Sequence, residues 1–545
     1  MNLARIGFLF RAVAFVVALV AGGFVTSPQA QTRGESLPRI VQREGRYALF
    51  VDDAPYLMLG VQVNNSSAWP SMLPKVWPAV EALHANTVEM PIYWEQLEQQ
   101  QGHFDYTVLD TLLTQARQHN VHLVLLWFGT WKNGSGHYMP EWMKRSPELG
   151  THILGANGRP LDSPSPYAKA ALEADIRAFS ALMTHLKSAD PQHTVLMVQV
   201  ENEAGTWGSV RDYSPTAQKL FESPVPAKLL TALHKTAGPA ANWQEVFGAD
   251  GEEFFHAWSV AHYIGQVAAA GKAIYPLPLY ANAAVRDPVN PGRPPQYESG
   301  GPTDNVFPIW KAAAPALDLL APDIYIDDSA RYCKVLELYW RPDNALFVPE
   351  SGNKPEYARY VFAAIGHRAI GFATFGLDYT GYANAPLGAA KITEELVADF
   401  ALNYKLLEPM SREIARLNFE GKLQAVVEEK DKPSQSLDFG SWTVKVSYGL
   451  PQFGFGEQPP GNPEPTGRAL VARLSDNEFL VAGFFCRVDF HAAASGKQRQ
   501  FMRVEEGSYD RGVFKPVRIW NGDQTDYGLN FTSQPQILHV RLGTY

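Results

Sequence analysis

The pattern of hydrophobic and polar positions is clearest at Val195–Val200, where five of the six residues are apolar. A short apolar run bounded by polar residues predicts a strand buried on both faces of a parallel sheet. This run ends abruptly in the sequence Glu-Asn-Glu at 201–203. A second apolar run, at 345–349, ends in the same way at Glu350. Two buried strands that each bring an acid to one edge of a sheet indicate a functional site at that edge.

Strand-type and helix-type runs alternate along the first three quarters of the chain, with crossovers of about thirty residues, which favours a parallel sheet. The predicted strands are 56–63, 86–94, 121–128, 195–200, 274–281, 317–325, 345–349 and 369–375. The predicted helices include 73–84, 104–119, 167–187, 254–270, 357–367 and 394–417. These units predict an α/β fold, a (β/α)8 TIM barrel over residues 31–415. Residues 31–45 are expected to be extended, and residues 46–51 to form an additional strand.

Beyond the last of these helices the pattern changes to short alternating segments. The strand-type segments are 422–428, 441–448, 469–474, 478–488, 500–506, 512–520 and 536–542. Turn-forming residues separate them, among them the PPGNPEP stretch at 459–465. Short strands at this spacing predict a C-terminal antiparallel β-sandwich, which we place at residues 416–545.

Residues 1–30 have the pattern of a secretory signal peptide. Arg5 and Arg11 give a positive start, and the apolar run at 12–25 is too short for a comfortable membrane span. Cleavage after Ala30 and cleavage near residues 21–23 are both compatible with the pattern. We therefore expect an exported protein, periplasmic or secreted, whose mature chain does not insert into a membrane.

Composition narrows the class of partner. A net charge of −9 argues against a nucleic acid. Aromatic residues make up 12% of the chain, which suits a carbohydrate, although large barrels contain many aromatic residues in any case. The two cysteines, Cys333 and Cys486, fall in different predicted domains, and we expect two buried free thiols rather than a disulfide.

Acids at the ends of two strands fit the hydrolysis of a glycosidic bond. Retaining hydrolysis uses two carboxyl groups about 5 Å apart, one as the proton donor and one as the nucleophile. Strands four and seven lie roughly opposite in an eight-stranded barrel, so closure of the ring would bring Glu203 and Glu350 together. Asn202 can then bond the 2-hydroxyl of the sugar. Tyr325, at the end of strand six, can hydrogen-bond Glu350 and keep it ionised, with ordinary packing as the alternative.

Three segments resemble glycoside hydrolase family 35, the retaining β-galactosidases of clan A. VQVENEAG at 198–205 is similar to the clan motif IENE(Y)G, WFGTWKNGSGHYMPEWM at 127–143 resembles the strand-three segment of the family, and VPESG at 348–352 extends the match. The resemblance covers residues from about 40 to 410. It implies that Glu203 is the acid/base, that Glu350 is the nucleophile, that Asn202 bonds the 2-hydroxyl, and that Tyr93 contacts the substrate.

The resemblance implies an exo-β-galactosidase that removes terminal galactosyl residues from plant-derived oligosaccharides or polysaccharides. One position departs from the family pattern. The family has Ala-Glu in the strand-three segment, and that Glu helps bind the galactose hydroxyls, whereas this chain has Gly129-Thr130. The alternatives are therefore a clan A β-glucosidase, β-mannosidase or α-L-arabinopyranosidase, or an inactive carbohydrate-binding barrel.

Other residues near the predicted site have two explanations. Trp131 and Trp142 lie in a predicted loop at 129–149, as sugar platforms or as loop anchors. Glu201 is expected to pair with an Arg or Lys inside the barrel. Asp323, Asp327 and Asp328 are expected in a solvated loop or as a helix cap rather than as a metal site. The predicted site comprises Glu203 and Glu350 as catalytic residues and Asn202, Tyr93, Trp131 and Tyr325 as substrate-binding residues.

No H-E-x-x-H, C-x-x-C or G-x-S-x-G motif occurs in the sequence. Neither a metal nor an organic cofactor is implied, and the expected partner is a galactoside. The sequence does not specify the number of subunits or what the C-terminal region contacts.

Overall fold

The computed structural model describes residues 36–449, 459–510 and 512–545. The predicted signal peptide, residues 1–30, lies outside the described residues. Up to Phe375 the strands are β1 (Arg39–Arg43), β2 (Arg46–Val51), β3 (Ala54–Tyr56), β4 (Met58–Gln62), β5 (Thr87–Tyr93), β6 (His122–Lys132), β7 (His152–Leu154), β8 (Pro160–Pro164), β9 (Val195–Asn202), β10 (Leu279–Ala284), β11 (Leu319–Ile324), β12 (Val348–Ser351) and β13 (Gly371–Phe375).

The helices alternate with these strands. They are α1 (Leu73–Leu83), α2 (Trp94–Leu97), α3 (Thr107–Gln118), α4 (Glu141–Lys144), α5 (Lys169–Ala189), α6 (Pro215–Phe221), α7 (Ala227–Ala232), α8 (Trp243–Phe247), α9 (Gly251–Ile274), α10 (Phe307–Ala313), α11 (Ser329–Tyr339), α12 (Tyr360–Gly366), α13 (Glu394–Leu407) and α14 (Ser411–Phe419). Short 3-10 turns occupy Gly248–Asp250, Asp304–Val306, Pro355–Tyr357, Glu408–Met410 and Gly522–Gln524.

Eight parallel strands close into a barrel, in the ring order β4, β5, β6, β9, β10, β11, β12 and β13. The predicted barrel is therefore confirmed. The apolar run at Val195–Val200 lies in β9, the fourth strand of the ring, which is buried along its whole length. Because it packs on the barrel interior inside and on helices outside, it carries apolar residues on both faces. Strand β12, which carries Glu350, is the seventh.

Strand β6 is longer than the sequence pattern predicted. It continues through Lys132, so the start of the predicted loop at 129–149 is strand. Its register against β9 shifts between Trp127 and Lys132, which identifies an irregular, bulged segment. Gly129 lies in this segment, where a Cβ atom would approach the Glu201 carboxylate to 2.6 Å. A bulge that turns alternate side chains in new directions is not visible in a run of apolar residues.

Two other predicted elements differ in detail. The helix predicted at 394–417 is divided into α13 and α14 by the 3-10 turn at Glu408–Met410. Pro409 lies in that turn, and its ring cannot continue an α-helix. The boundary predicted at residues 415–416 falls within α14. Part of the segment expected to be simply extended forms β1, which pairs antiparallel with β2.

The C-terminal region is antiparallel and all-β. Its strands are β14 (Leu423–Val427), β15 (Ser434–Asp438), β16 (Trp442–Tyr448), β17 (Arg468–Ser475), β18 (Glu478–Phe484), β19 (Cys486–Ala492), β20 (Arg499–Asp510), β21 (Val513–Ile519), β22 (Leu529–Phe531) and β23 (Gln536–Thr544). A six-stranded sheet in the order β14, β17, β18, β23, β20, β21 faces a four-stranded sheet in the order β15, β16, β19, β22. Aliphatic and aromatic side chains of both sheets form one core.

The single strand predicted at 478–488 is two strands in different sheets. The chain changes sheets at Phe485, which has a positive φ of 50°. Continuous apolar character on both sides of this residue concealed the break. The strands β15 and β22 were not predicted, because β15 is largely polar and β22 is only three residues long.

The two regions share a packed contact. Arg468 is buried at the start of β17 and donates to Oδ1 of Asn403 on α13 at 2.7 Å. Its guanidinium also lies over the Phe484 ring, with 4.4 Å to the centroid. Cys333 and Cys486 are both free, as predicted, although Cys333 is only partly buried. Within the described ranges, no helix combines the length and apolar character needed to cross a membrane.

Candidate active site

Glu203 leaves the end of β9 on a constrained backbone. Glu201 and Glu203 have positive φ angles of 63° and 42°, so the chain turns sharply where the acids occur. The side chain of Asn282, on β10, accepts the backbone N–H of Glu203 at 3.0 Å. The same amide donates to Oδ2 of Asp323, on β11, at 2.6 Å. Asn282 therefore connects the turn after strand four to the ends of strands five and six.

Glu350, on β12, is held by donors at the carboxyl ends of β4 and β9 and by Tyr325, the residue after β11. The Tyr325 hydroxyl donates to Oε2 at 2.7 Å. The Gln62 amide donates to Oε1 at 2.7 Å, and the Asn202 amide approaches the same oxygen at 3.4 Å. Donors on both oxygens stabilise the ionised carboxylate and fix its plane.

Three carboxyl groups meet at the centre of the site. One oxygen each from Glu203, Asp323 and Glu350 lies within 4.8 Å of the others. Burial, and then the Glu350 charge, raises the pKa of Glu203 to about 7. Burial, and then the charges of Glu350 and Glu203, raises the pKa of Asp323 well above its usual range. The crowding of three carboxyl groups therefore favours the protonated forms of Asp323 and Glu203.

The spacing of these three carboxyl groups could also hold a metal ion. No other group of His, Cys, Asp or Glu residues in the described part of the chain has such a spacing. The hydrogen bonds to Glu350 from Tyr325 and Gln62 already occupy both of its oxygens. The arrangement is that of a buried acid/base cluster at the carboxyl edge of a barrel.

A cavity of about 390 Å³ opens above these carboxyl groups. Polar and aromatic side chains line it, as expected for a pocket that orients a small polar ligand. The lining residues are Asn65, Lys132, Asn133, Glu203, Trp207, Ala284, Val285, Asp323, Tyr325, Ile326, Glu350, Phe375, Tyr382, Asn384 and Leu387. Trp207 and Tyr382 are about half exposed at 49% and 57%.

Glu203, Glu350, Asn202 and Tyr325 therefore come together as the sequence analysis expected. Tyr93 and Trp131 do not line this cavity. The Tyr93 ring is buried between Trp69 and Tyr138, with centroids 5.6 and 5.5 Å away, and its hydroxyl accepts the backbone N–H of Ala68. Strand β5 delivers this side chain beside the cavity rather than into it.

Trp131 is packed in the barrel wall. Its ring meets Tyr263 of α9 edge-on at 4.7 Å, because the extended β6 directs it toward the surrounding helices. The role of a substrate platform, expected for a loop tryptophan, is therefore wrong for Trp131. Trp142 lies on α4 and donates to the backbone oxygen of Glu98 at 3.0 Å, which makes it a loop anchor.

Among the residues that the structure describes, Glu201 has no basic partner, contrary to expectation. Its Oε2 accepts the backbone N–H of Trp131 at 2.6 Å, and its carboxyl group pairs with that of Asp175 on α5. Burial, and then the Asp175 charge, raises the pKa of Glu201 well above its usual range. Thr130 and Trp127 complete the pair by donating to Asp175 at 2.7 and 2.9 Å. Sequence gave no sign that the neutralising group is a second carboxyl rather than a cation.

Asp323 and Asp328, which were expected to share one role, have different roles in the structure. Asp328 caps α11 by accepting the backbone N–H of Arg331 at 2.9 Å, which agrees with the predicted helix cap. Asp323 is not in a solvated loop: it is buried on β11, within the carboxyl cluster.

Three other residues that bond to groups of the site were not predicted from the sequence. They are Gln62, Lys132 and Asn282. Gln62 and Asn282 are polar residues near the carboxyl ends of barrel strands, and that position was a usable signal. Lys132 was hidden because the bulge of β6 is not predictable.

Two family models match the chain. The glycoside hydrolase 42 model, described as Beta-galactosidase, matches residues 79–255, a segment from α1 to the start of α9 that includes Glu203. The description of this model agrees with the predicted class of enzyme, a glycoside hydrolase. Family 35 is not supported, because the matching model is that of another clan A family. A domain of unknown function, DUF5597, matches residues 400–532, which run from α13 to β22.

Solved β-galactosidases are among the structures similar to this chain. The enzyme from Bacillus circulans sp. alkalophilus has 14% identity and a TM-score of 0.48, with 66% of this chain and 57% of that chain covered. The cold-adapted enzyme from Rahnella sp. R3 has 15% identity and a TM-score of 0.46, with 69% and 59% covered. The enzyme from the psychrophilic Marinomonas ef1 has 12% identity and a TM-score of 0.48, with 67% and 62% covered.

The present chain thus spans about six tenths of the length of these structures. No curated protein sequence matches it.

Proposed function

We propose that the chain is an exported, retaining exo-β-galactosidase that removes terminal β-galactosyl residues from plant-derived oligosaccharides or polysaccharides. The observation that carries the proposal is the approach of Glu203 and Glu350 across one cavity, with carboxylate oxygens within 4.8 Å. A separation of about 5 Å leaves no room for a water molecule between the second carboxylate and the anomeric carbon, which favours double displacement over inversion.

Glu350 is the nucleophile of this proposal. Its carboxylate is oriented by hydrogen bonds from Tyr325 and Gln62. One oxygen attacks the anomeric carbon while the bond to the leaving oxygen breaks, which forms a glycosyl ester. Water then attacks the same carbon from the opposite face, and the ester bond breaks to restore the carboxylate.

Glu203 is the acid and then the base. With its pKa raised to about 7, it holds a proton at mildly acidic pH and delivers it to the leaving oxygen. Formation of the ester removes the Glu350 charge, which is the second cause of that raised pKa. The pKa of Glu203 then falls, so that the ionised group can take a proton from the attacking water.

The choice of galactose rests on the name of the matching family model and on the sequence resemblance to β-galactosidases. Thr130 occupies the position where family 35 has the Glu that helps bind galactose. Its hydroxyl donates to Asp175 behind the cavity wall, so it cannot replace that carboxylate. Amides of Asn65, Asn133 and Asn384 line the cavity and can bond sugar hydroxyls. The alternative clan A glycosidases differ from this proposal in the sugar that they recognise and share its reaction mechanism.

A panel of nitrophenyl glycosides, with the first product followed by proton NMR, tests this proposal. We expect the β-galactoside to be cleaved fastest and to release the β-anomer first. An α-anomer as first product would contradict the paired-carboxyl mechanism. Fastest cleavage of another glycoside would change the assigned sugar and leave the mechanism as proposed. Sugar binding without turnover on the whole panel would establish an inactive carbohydrate-binding barrel.

Export is tested separately by expressing the full chain and locating it. We expect a mature protein outside the cytoplasm whose N-terminus, read by mass spectrometry, lies near residue 21–31. Retention of residues 1–30 in a cytoplasmic protein would contradict export without affecting the enzymatic proposal.

A further inference from the structure

The Asn202 amide is a polar group whose orientation decides what it can recognise. Its Oδ1 accepts a hydrogen bond from Nζ of Lys132 at 2.5 Å. Its Nδ2 lies 3.4 Å from Oε1 of Glu350. Lysine has three donors and no acceptor, so only the amide oxygen can face Lys132. The amide nitrogen must then face Glu350.

Lys132 is itself held in place. It is 4% exposed, at the end of β6, and its ammonium lies 4.9 Å from the centroid of the Phe128 ring. The irregular register of β6 pairs Lys132 directly with Asn202 across the two strands. The backbone N–H and oxygen of Lys132 both bond Ser135, which closes a tight turn behind it. The cation is therefore built into the wall of the cavity beside the amide.

The opposite orientation of the amide is unfavourable on both sides. It would direct the Asn202 NH2 group at the Lys132 ammonium and the Asn202 carbonyl at the Glu350 carboxylate. Donor would then face donor and acceptor would face acceptor, in a buried site where unpaired polar groups are costly.

We propose that Lys132 is a positioning residue that fixes the Asn202 amide with its NH2 group toward Glu350 and the 2-hydroxyl of the bound sugar. This inference rests on the proposed glycosidase function. It predicts that the contribution of the 2-hydroxyl to catalysis depends on a side chain that donates to Asn202 and need not touch the sugar itself.

The test compares a substrate with its 2-deoxy analogue in the full-length enzyme. The substrates are 4-nitrophenyl β-galactoside and the corresponding 2-deoxy glycoside, or the same pair for whichever sugar the wild type cleaves. The ratio of their kcat/KM values measures the contribution of the 2-hydroxyl. The variants are Lys132→Met, which keeps length but removes the donors, and Lys132→Arg, which keeps a donor-only cation.

We expect Lys132→Met to lower kcat/KM for the parent substrate by about 10- to 100-fold, the value of a hydrogen bond to a charged group. It should lower kcat/KM for the 2-deoxy substrate much less, so the ratio falls about 10-fold or more. Lys132→Arg should restore most of the ratio. Asn202→Ala should reduce the ratio equally, and adding Lys132→Met to it should cause no further fall.

A second measurement does not depend on the 2-hydroxyl. The Lys132 charge lowers the pKa of Glu203. Lys132→Met should therefore move the alkaline limb of the kcat/KM profile to higher pH, and Lys132→Arg should not. A purely structural defect would reduce activity without that difference between the two variants.

Equal losses on both substrates in Lys132→Met, with the ratio unchanged, would overturn the inference and leave the proposed function intact. If Lys132→Met does not fold, as judged by its thermal transition, Lys132→Gln takes its place. Glutamine offers an acceptor as well as a donor and should also reduce the ratio. A wild type without turnover on any glycoside would overturn the proposed function and this inference together.

Discussion

The Tyr325 hydroxyl, one residue beyond the end of the neighbouring strand β11, donates to Oε2 of Glu350 at 2.7 Å. Because a phenol can only donate usefully to a carboxylate, this contact favours the ionised, nucleophilic form of Glu350. Burial and the Glu350 charge raise the pKa of Tyr325 well above its usual range, so the donor keeps its proton throughout the working pH range.

Tyr325→Phe should therefore lower kcat/KM by about 10- to 100-fold, because a hydrogen bond to a charged group is lost from the reacting carboxylate. Steady-state kinetics on 4-nitrophenyl β-galactoside measures it. Tyr332→Phe is the matched control, since the Tyr332 hydroxyl bonds Ser351 at 2.9 Å, one residue from Glu350, without touching it. Equal losses in both variants would mean that Tyr325 acts through packing alone.

The pH dependence of the reaction should follow Glu203. Its pKa of about 7 places the loss of the acid proton there, so kcat/KM for an alkyl β-galactoside should fall as pH rises through about 7. Glu203→Gln should remove that limb and cost about 100-fold or more on the alkyl substrate. A dinitrophenyl galactoside, whose leaving group needs no proton, should lose far less in the first step. An unchanged alkaline limb in Glu203→Gln would assign the acid elsewhere.

The Glu201–Asp175 pair should make stability depend on pH. The pKa of Glu201 is raised in the folded protein. Glu201 therefore keeps a proton that it releases in the unfolded chain once the pH exceeds about 4.3. The stabilisation present below that pH is then lost as pH rises toward the folded pKa. Glu201→Gln supplies a permanent N–H donor to Asp175 and removes this proton.

Denaturant unfolding of the wild type and Glu201→Gln across pH 5 to 7 measures the effect. The free energy of unfolding of the wild type should fall relative to the variant by up to about 1.4 kcal/mol per pH unit. Glu173→Gln, an exposed position paired with Lys169 at 3.7 Å, should follow the wild type. Parallel curves for the wild type and Glu201→Gln would show that the pair holds no proton in this range.

Trp207, half exposed on the cavity rim, should contact the leaving group of longer substrates. Trp207→Ala should raise KM for a β-galactosyl disaccharide by about 2- to 10-fold, the value of one stacked aromatic contact. Methyl β-galactoside, which has no second ring, should be unaffected. Trp69→Ala is the control, since Trp69 is 39% exposed but stacks on Tyr93 and does not line the cavity. Equal effects on both substrates would exclude this contact.

The barrel could be predicted from sequence because its strands are short apolar runs with acids or amides after them. The end of β9 is the clearest case, since Glu203 follows a strand that is buried on both faces. The convergence of Glu203 and Glu350 then follows from closure of the ring rather than from any local pattern.

What sequence could not give was the direction of side chains at irregular positions. The shifted register of β6 turns Lys132 into the cavity and Trp131 out of it, which reverses the expectation for an aromatic loop residue. Asp323 was misplaced for a related reason, because the strand end and the following loop are continuous in composition. Partners of buried acids were equally hidden, since Glu201 meets Asp175 from a helix that precedes β9.

Trapping the covalent intermediate would identify the nucleophile itself. The wild type is inactivated with 2-deoxy-2-fluoro-β-galactosyl fluoride and digested, and the labelled peptide is sequenced by mass spectrometry. We expect one fluoroglycosyl adduct on Glu350, lost on reactivation with a glycoside acceptor. An adduct on Asp323, or turnover without any adduct and with inversion of the anomeric centre, would contradict it.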